Sequence, residues 1–152
     1  MDMEQFDSEK AARVWQRVQN REAPEPMRKD PAVLIRASSE QAAYYRSLSR
    51  ALPGRYGERL REYGRQQQRA ADCMKGICRL TGITPAVGQT QPVRQEPPLR
   101  LLEKCCRGER QLAVEYSART SDPEWGRVYG KMAAEAAERC CGLLEILGVM
   151  GK

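Results

Sequence analysis

Proline sets the layout of this chain. All nine prolines fall between stretches of helical periodicity or at their first residue. Proline lacks a backbone N–H and its ring collides with the preceding turn, so it is barred from a helix interior but not from the first position. Asp30-Pro31 and Asp122-Pro123 each read as an N-cap followed by proline at the first helical residue. Pro53-Gly54 marks a break, and Gly82 followed by Pro85 marks a stop.

Four long amphipathic segments lie between these signals, all with apolar residues at three- and four-residue spacing. The first runs from about Pro31 to Ala51, with Leu34, Ala37, Ser38, Gln41, Tyr45, Leu48 and Leu52 on one side. The second, from about Arg55 to Leu80, aligns Tyr56, Leu60, Tyr63, Gln67, Ala70, Met74 and Ile77. A third begins near Pro98 and turns Leu99, Leu102, Cys105 or Cys106, Glu109, Leu112, Ala113 and Tyr116 inward. The fourth starts at Asp122-Pro123, presents Trp125, Tyr129, Met132, Ala133, Ala136, Cys140, Leu143 and Leu147, and ends at Gly148. No alternating stretch supports a strand. A shorter helix is expected from Ser8 to about Asn20, capped by Asp7 or Ser8, with a proline-containing linker over Arg21 to Lys29.

Connection lengths then decide topology. Short links after the first and third long helices force antiparallel hairpins. Residues 83–98, ITPAVGQTQPVRQEPP, are aperiodic, hold four prolines and are long enough to run the length of the helices. Two hairpins joined by such a crossover predict an all-α, ferritin-like four-helix bundle over 30–152, preceded by the N-terminal helix and linker over 1–29. A gapless alignment of YGRQQQRAADCMKGICRLTG at 63–82 with YGKMAAEAAERCCGLLEILG at 129–148 hints at a duplicated hairpin.

Composition narrows the chemistry. The chain contains no histidine, which removes every Ser/His/Asp and Cys/His catalytic arrangement. No nucleotide-binding fingerprint is present. No apolar run approaches the roughly 20 residues needed to cross a bilayer, and the acidic start MDMEQFDSEK lacks the pattern of a secretory leader. A cytoplasmic protein is expected. Six cysteines, at 73, 78, 105, 106, 140 and 141, show no C-x-x-C spacing. They read as small buried hydrophobes in a reducing compartment, with at most one of each adjacent pair facing the core squarely. A thiolate metal site or a redox pair is the alternative.

The net charge is +6, carried by 20 arginines against six lysines. Arg46, Arg50, Arg55, Arg59, Arg61, Arg65 and Arg69 form a dense run opposed only by Glu58 and Glu62. A solvated face is the plain reading, and a surface for an anionic partner is the functional one. Seven glycines inside helical segments, at 57, 64, 76, 108, 126, 130 and 142, lower intrinsic helicity. Some are expected to permit close helix approach, including between subunits.

In its helix pattern, its crossover and the spacing of GERQLAVEY around Glu109 and Tyr116, the chain resembles the rubrerythrin and ferritin-like family. That resemblance implies a di-iron site, with one Glu from each of two helices and a Glu-x-x-His pair from each of the other two. Two cations about 3.5–4 Å apart demand several carboxylates, and imidazoles complete their shells. The matching positions here are Ser38, Gln67 with Ala70, Glu109, and Ala136 with Arg139. Only Glu109 is a ligand of the implied type. The resemblance therefore implies a bundle whose metal site has been replaced by a polar seam of Ser38, Gln67, Glu109 and Arg139, in which Glu109 pairs with Arg139. Tyr45, Tyr63, Tyr116 and Tyr129 are expected as core tyrosines reaching toward that seam.

No catalytic residue and no cofactor are expected. The leading functional expectation is a non-enzymatic module that binds a protein partner or self-associates. One alternative is a divergent metal-dependent oxidoreductase handling oxygen or peroxide. It would bind iron, or a single Mn²⁺ or Mg²⁺, through Glu109, Glu135 and Glu138. The other is a binder of an anionic partner through the arginine face.

Overall fold

A computed structural model of the protein describes residues 30–86, 88 and 92–150. The expected N-terminal helix and linker lie outside the described residues. Among the described residues there are four helices: α1 (Pro31–Ala51), α2 (Gly54–Leu80), α3 (Pro98–Ser117) and α4 (Gly126–Met150). No strand occurs among the described residues, so the all-α expectation holds. The chain divides into two compact units, with the boundary inside α3 between Cys105 and Cys106.

In the first unit, Asp30 caps α1 as its sequence position predicts, its carboxylate accepting the Ala32 N–H at 2.9 Å ahead of Pro31 at the first turn. Gly54, at φ +66°, takes the left-handed conformation that turns the chain into α2. The two helices pack antiparallel. Tyr45 meets Tyr63 edge-to-face with ring centroids 5.7 Å apart, and Gly64 lies against Tyr45 and Ala42 while Gly57 lies against Ser49 and Leu52. Leu34, Ile35, Tyr45 and Leu48 of α1 and Leu60, Ala71 and Met74 of α2 are buried in its core.

Gly82, at φ +75°, ends α2. The Ile83 N–H reaches back to the Cys78 carbonyl at 2.8 Å and the Gly82 N–H to that of Arg79 at 3.4 Å, the paired bonds of a Schellman stop. The connection then climbs along α1. Gly88 lies beside the Arg36 guanidinium. Farther on, Lys104 sits 3.5 Å from Glu96 and 5.2 Å over the Tyr44 ring. The Gln41 side-chain amide donates to the Cys105 carbonyl at 2.9 Å, across 64 residues of sequence. Since α2 ends where α1 begins, and α3 begins against the second half of α1, this connection is the long crossover expected from its prolines.

In the second unit, α3 and α4 run antiparallel, with Cys106 against Cys140, Glu109 against Arg139, and the Arg119 guanidinium 5.9 Å above the Tyr129 ring. The α4 start departs from expectation. Asp122 does cap, but its carboxylate accepts the N–H groups of Glu124 and Trp125, both at 2.8 Å, in a turn that precedes the helix. Helix proper begins at Gly126, where a Cβ would collide with the Thr120 carbonyl. At the other end α4 passes through Gly148 to Met150.

Several inner faces are also shifted. Leu99 is 41% exposed, while Ala37, Leu52, Tyr56, Tyr63, Trp125 and Leu147 are half-buried. Their places inside are taken by Ala32, Ile35, Gly57, Gly64, Leu101 and Ile146. Glycine has no apolar side chain to signal burial, yet it is what allows α1 and α2 to approach at Gly57 and Gly64. A Cβ on Gly57 would press on two backbone carbonyls, one of them at 2.9 Å, whereas one on Gly76 would meet nothing within 4 Å. Gly57→Ala is therefore expected to destabilise by roughly 1–3 kcal/mol through overpacking. Gly76→Ala should stabilise by roughly 0.5–1 kcal/mol through helix propensity. Urea titrations of the two variants check this contrast in sign.

Candidate functional site

The second hairpin buries a charge pair. Glu109 projects from the middle of α3 and Arg139 from the middle of α4, and their side chains are 0% and 2% exposed. Arg139 Nε stands 3.1 Å from Glu109 Oε1. The pairing expected from sequence is thus present. Both groups have lost their hydration, so their mutual attraction must offset a desolvation cost of several kcal/mol per ion. Neither charge is left alone.

Directly beside the pair, the Cys106 and Cys140 sulfurs lie 3.4 Å apart, and Cys140 Sγ is also 3.9 Å from the Cys106 carbonyl. All six cysteines are free thiols. The S–H···S contact from Cys140 pulls the Cys106 thiol below its ordinary pKa against the opposing effect of burial. The same contact, with burial, pushes Cys140 far up. One thiolate shared across the two sulfurs is favoured over two. The sequence reading had one member of each adjacent cysteine pair facing inward, but Cys105 and Cys106 are both buried. Cys105 is buried in the first unit, where its carbonyl receives Gln41, and Cys106 in the second, where it meets Cys140. Cys73 is exposed and Cys141 half-buried, so the buried-hydrophobe reading fails for Cys73.

Ser38 on α1 and Gln67 on α2 are fully buried in the first unit. Tyr45 and Tyr116 are fully buried and Tyr129 nearly so. Ala70 and Ala136, at the other positions implied by the family resemblance, are buried and carry no donor atom in their side chains. The fit to a di-iron centre is poor on chemical grounds. Within the second unit, the one carboxylate at a matching position already faces a guanidinium, and a cation placed there would be repelled by Arg139.

The other carboxylates proposed for a single metal do not gather around Glu109. Glu138 is exposed, and Glu135 is half-buried with Lys131 at 3.9 Å. Among the described residues no group of three or more Cys, Asp or Glu side chains is arranged to hold a metal ion. Helical spacing placed Glu135 and Glu138 beside the inner stripe, but the rotation of α4 gives the inward direction to Arg139.

All seven arginines of the run from Arg46 to Arg69 are exposed, at the end of α1 and along the first half of α2. Several are engaged locally. Arg65 and Arg69 approach Glu62 at 2.9 and 3.2 Å and hold its carboxyl below the usual carboxylate range. Arg55 stacks on its neighbour Tyr56 at 5.3 Å.

Three features escaped the sequence reading. Gln41 was placed on the inner stripe but not as a donor to α3. Glu115, on the last turn of α3, is 1% exposed and accepts from Gln111 at 3.2 Å. The Cys106–Cys140 contact could have been found once Glu109 was set opposite Arg139, because an antiparallel register carries Cys106 to the neighbourhood of Cys140.

No known protein family, curated protein or solved structure matches this chain.

Removing only Glu109 leaves a buried guanidinium without its counter-charge. Glu109→Gln is expected to cost about 3–5 kcal/mol of stability. The double replacement Glu109→Leu with Arg139→Met should cost less than the two single changes added together. Denaturant unfolding of the wild type, Glu109→Leu, Arg139→Met and the double variant measures the coupling.

Proposed function

We propose that this protein is a non-enzymatic helical scaffold that acts through its surface, binding a protein partner or another copy of itself. In this reading it is a ferritin-like chain whose metal chemistry has been replaced by an internal ion pair. The observation that carries the reading is the Glu109–Arg139 contact at 3.1 Å, with both side chains buried. A guanidinium is permanently charged, so Arg139 supplies the positive charge that a metal would supply and obstructs a metal's entry. The divergent-oxidoreductase alternative needs convergent carboxylates, and Glu135 and Glu138 are turned elsewhere. Among the described residues no helix is long and apolar enough to cross a membrane. A reducing, cytoplasmic setting suits six free thiols.

Elemental analysis of protein purified from cells supplied with iron and manganese tests the proposal. The expected result is no stoichiometric metal. About two irons per chain, with an absorption band that responds to oxygen or peroxide, would overturn it. One bound Mn²⁺ lost on replacing Glu109 and Glu135 would favour a mononuclear centre instead.

A second reading is favoured by a separate observation, the exposure of all seven arginines between Arg46 and Arg69 on one hairpin. A partner rich in carboxylate or phosphate would meet a surface of net positive charge there. Binding to immobilised heparin should then weaken with salt, and replacing Arg46, Arg50 and Arg61 with Gln should flatten that dependence. Retention unchanged by the triple replacement would remove the arginine face as the partner surface.

A further inference from the structure

We propose that Cys106 and Cys140 form a reversible dithiol–disulfide couple, a modification site whose oxidant is hydrogen peroxide. Their sulfurs are 3.4 Å apart, roughly van der Waals contact, and modest side-chain rotation would bring them to the about 2.05 Å of a covalent S–S bond. The two residues lie on different helices of one hairpin and 34 residues apart in sequence, so the bond would tie α3 to α4. The buried Glu109–Arg139 pair beside them holds the two helices in the register that keeps the sulfurs together.

Access selects the oxidant. Cys106 is 7% exposed and Cys140 1% exposed. With so little of either residue at the surface, a small oxidant such as peroxide suits the pair better than a bulky low-molecular-weight disulfide. The chemistry balances in two steps. The Cys106 thiolate attacks one peroxide oxygen, the O–O bond breaks, and protonation of the departing oxygen gives water and a sulfenic acid on Cys106. The Cys140 sulfur then attacks the Cys106 sulfur, forming S–S and expelling the sulfenic oxygen as a second water. Two thiols are oxidised by two electrons and one peroxide is reduced. A soluble dithiol returns the pair to its starting state by exchange.

The couple is separate from the scaffold reading and does not require it. Its test uses the full chain, reduced, desalted and treated with a small excess of hydrogen peroxide, then alkylated and digested with trypsin. Cleavage after Lys104, Arg107 and Arg139 isolates Cys105 with Cys106 in one peptide and Cys140 with Cys141 in another. The expected result is a loss of two hydrogens in intact mass, two fewer alkylated thiols, and a cross-link between those two peptides that a dithiol reverses. Cys106→Ser and Cys140→Ser should each abolish the cross-link, while Cys105→Ser and Cys141→Ser should retain it. Circular dichroism of the serine variants separates a lost partner from a lost fold. The proposal fails if the cross-link survives in folded Cys106→Ser or Cys140→Ser. It fails equally if exposed Cys73 is oxidised while Cys106 and Cys140 remain fully alkylated.

Discussion

A carboxylate and a guanidinium that have both left water must find each other, and in this protein that requirement organises the second hairpin. Glu109 and Arg139 approach to 3.1 Å from helices that run in opposite directions. A one-residue slip of either helix would turn its charge about 100° away and leave both ions buried without counter-charge, which is far costlier than an equivalent slip among apolar residues. The pair therefore works as a register pin. Its consequences extend along both helices, to the Cys106–Cys140 contact on one side and to Arg119 over Tyr129 near the turn.

The first hairpin is held by a different device. α1 and α2 meet where Gly57 and Gly64 remove the side chains that would keep them apart, and Tyr45 and Tyr63 pack edge-to-face alongside. A long-range polar contact, from Gln41 to the Cys105 carbonyl, ties α1 to the opening turns of α3. A helical carbonyl has a second lone pair to offer, so this bond adds a tie without breaking the α3 ladder. Together with Lys104 over Tyr44 and beside Glu96, it anchors the far end of a crossover whose described residues form no helix or strand between α2 and α3.

The candidate site was legible in part, for identifiable reasons. Glu109 stood out because it fell on the apolar stripe of α3, where a charge needs a partner, and Arg139 because it held a ligand position that the family resemblance implies on α4. Glu135 and Glu138 passed the same spacing test but face elsewhere, because a stripe drawn at 100° per residue leaves tens of degrees of rotation open. The thiol contact was hidden by type. Cysteine is as much a small hydrophobe as a reactive group, and only the distance between two sulfurs tells which is meant. The α4 start was misplaced for a local reason: Asp122 was correctly read as a cap, but Gly126 must sit against the Thr120 carbonyl before the helix can begin.

Sequence alone was enough to establish the four helices, the stops at Pro53-Gly54 and Gly82, and the place of the crossover. These follow from backbone constraints carried by single residues: a missing N–H, a permitted positive φ, or a carboxylate able to cap. Histidine's absence likewise settled which catalytic arrangements could not exist, whatever the fold. Which side of each helix faces inward, and which sulfur meets which, depended on packing between residues tens of positions apart. That information resides in the shape left when glycines let helices close and when buried charges demand their partners, and the tertiary structure alone decides it.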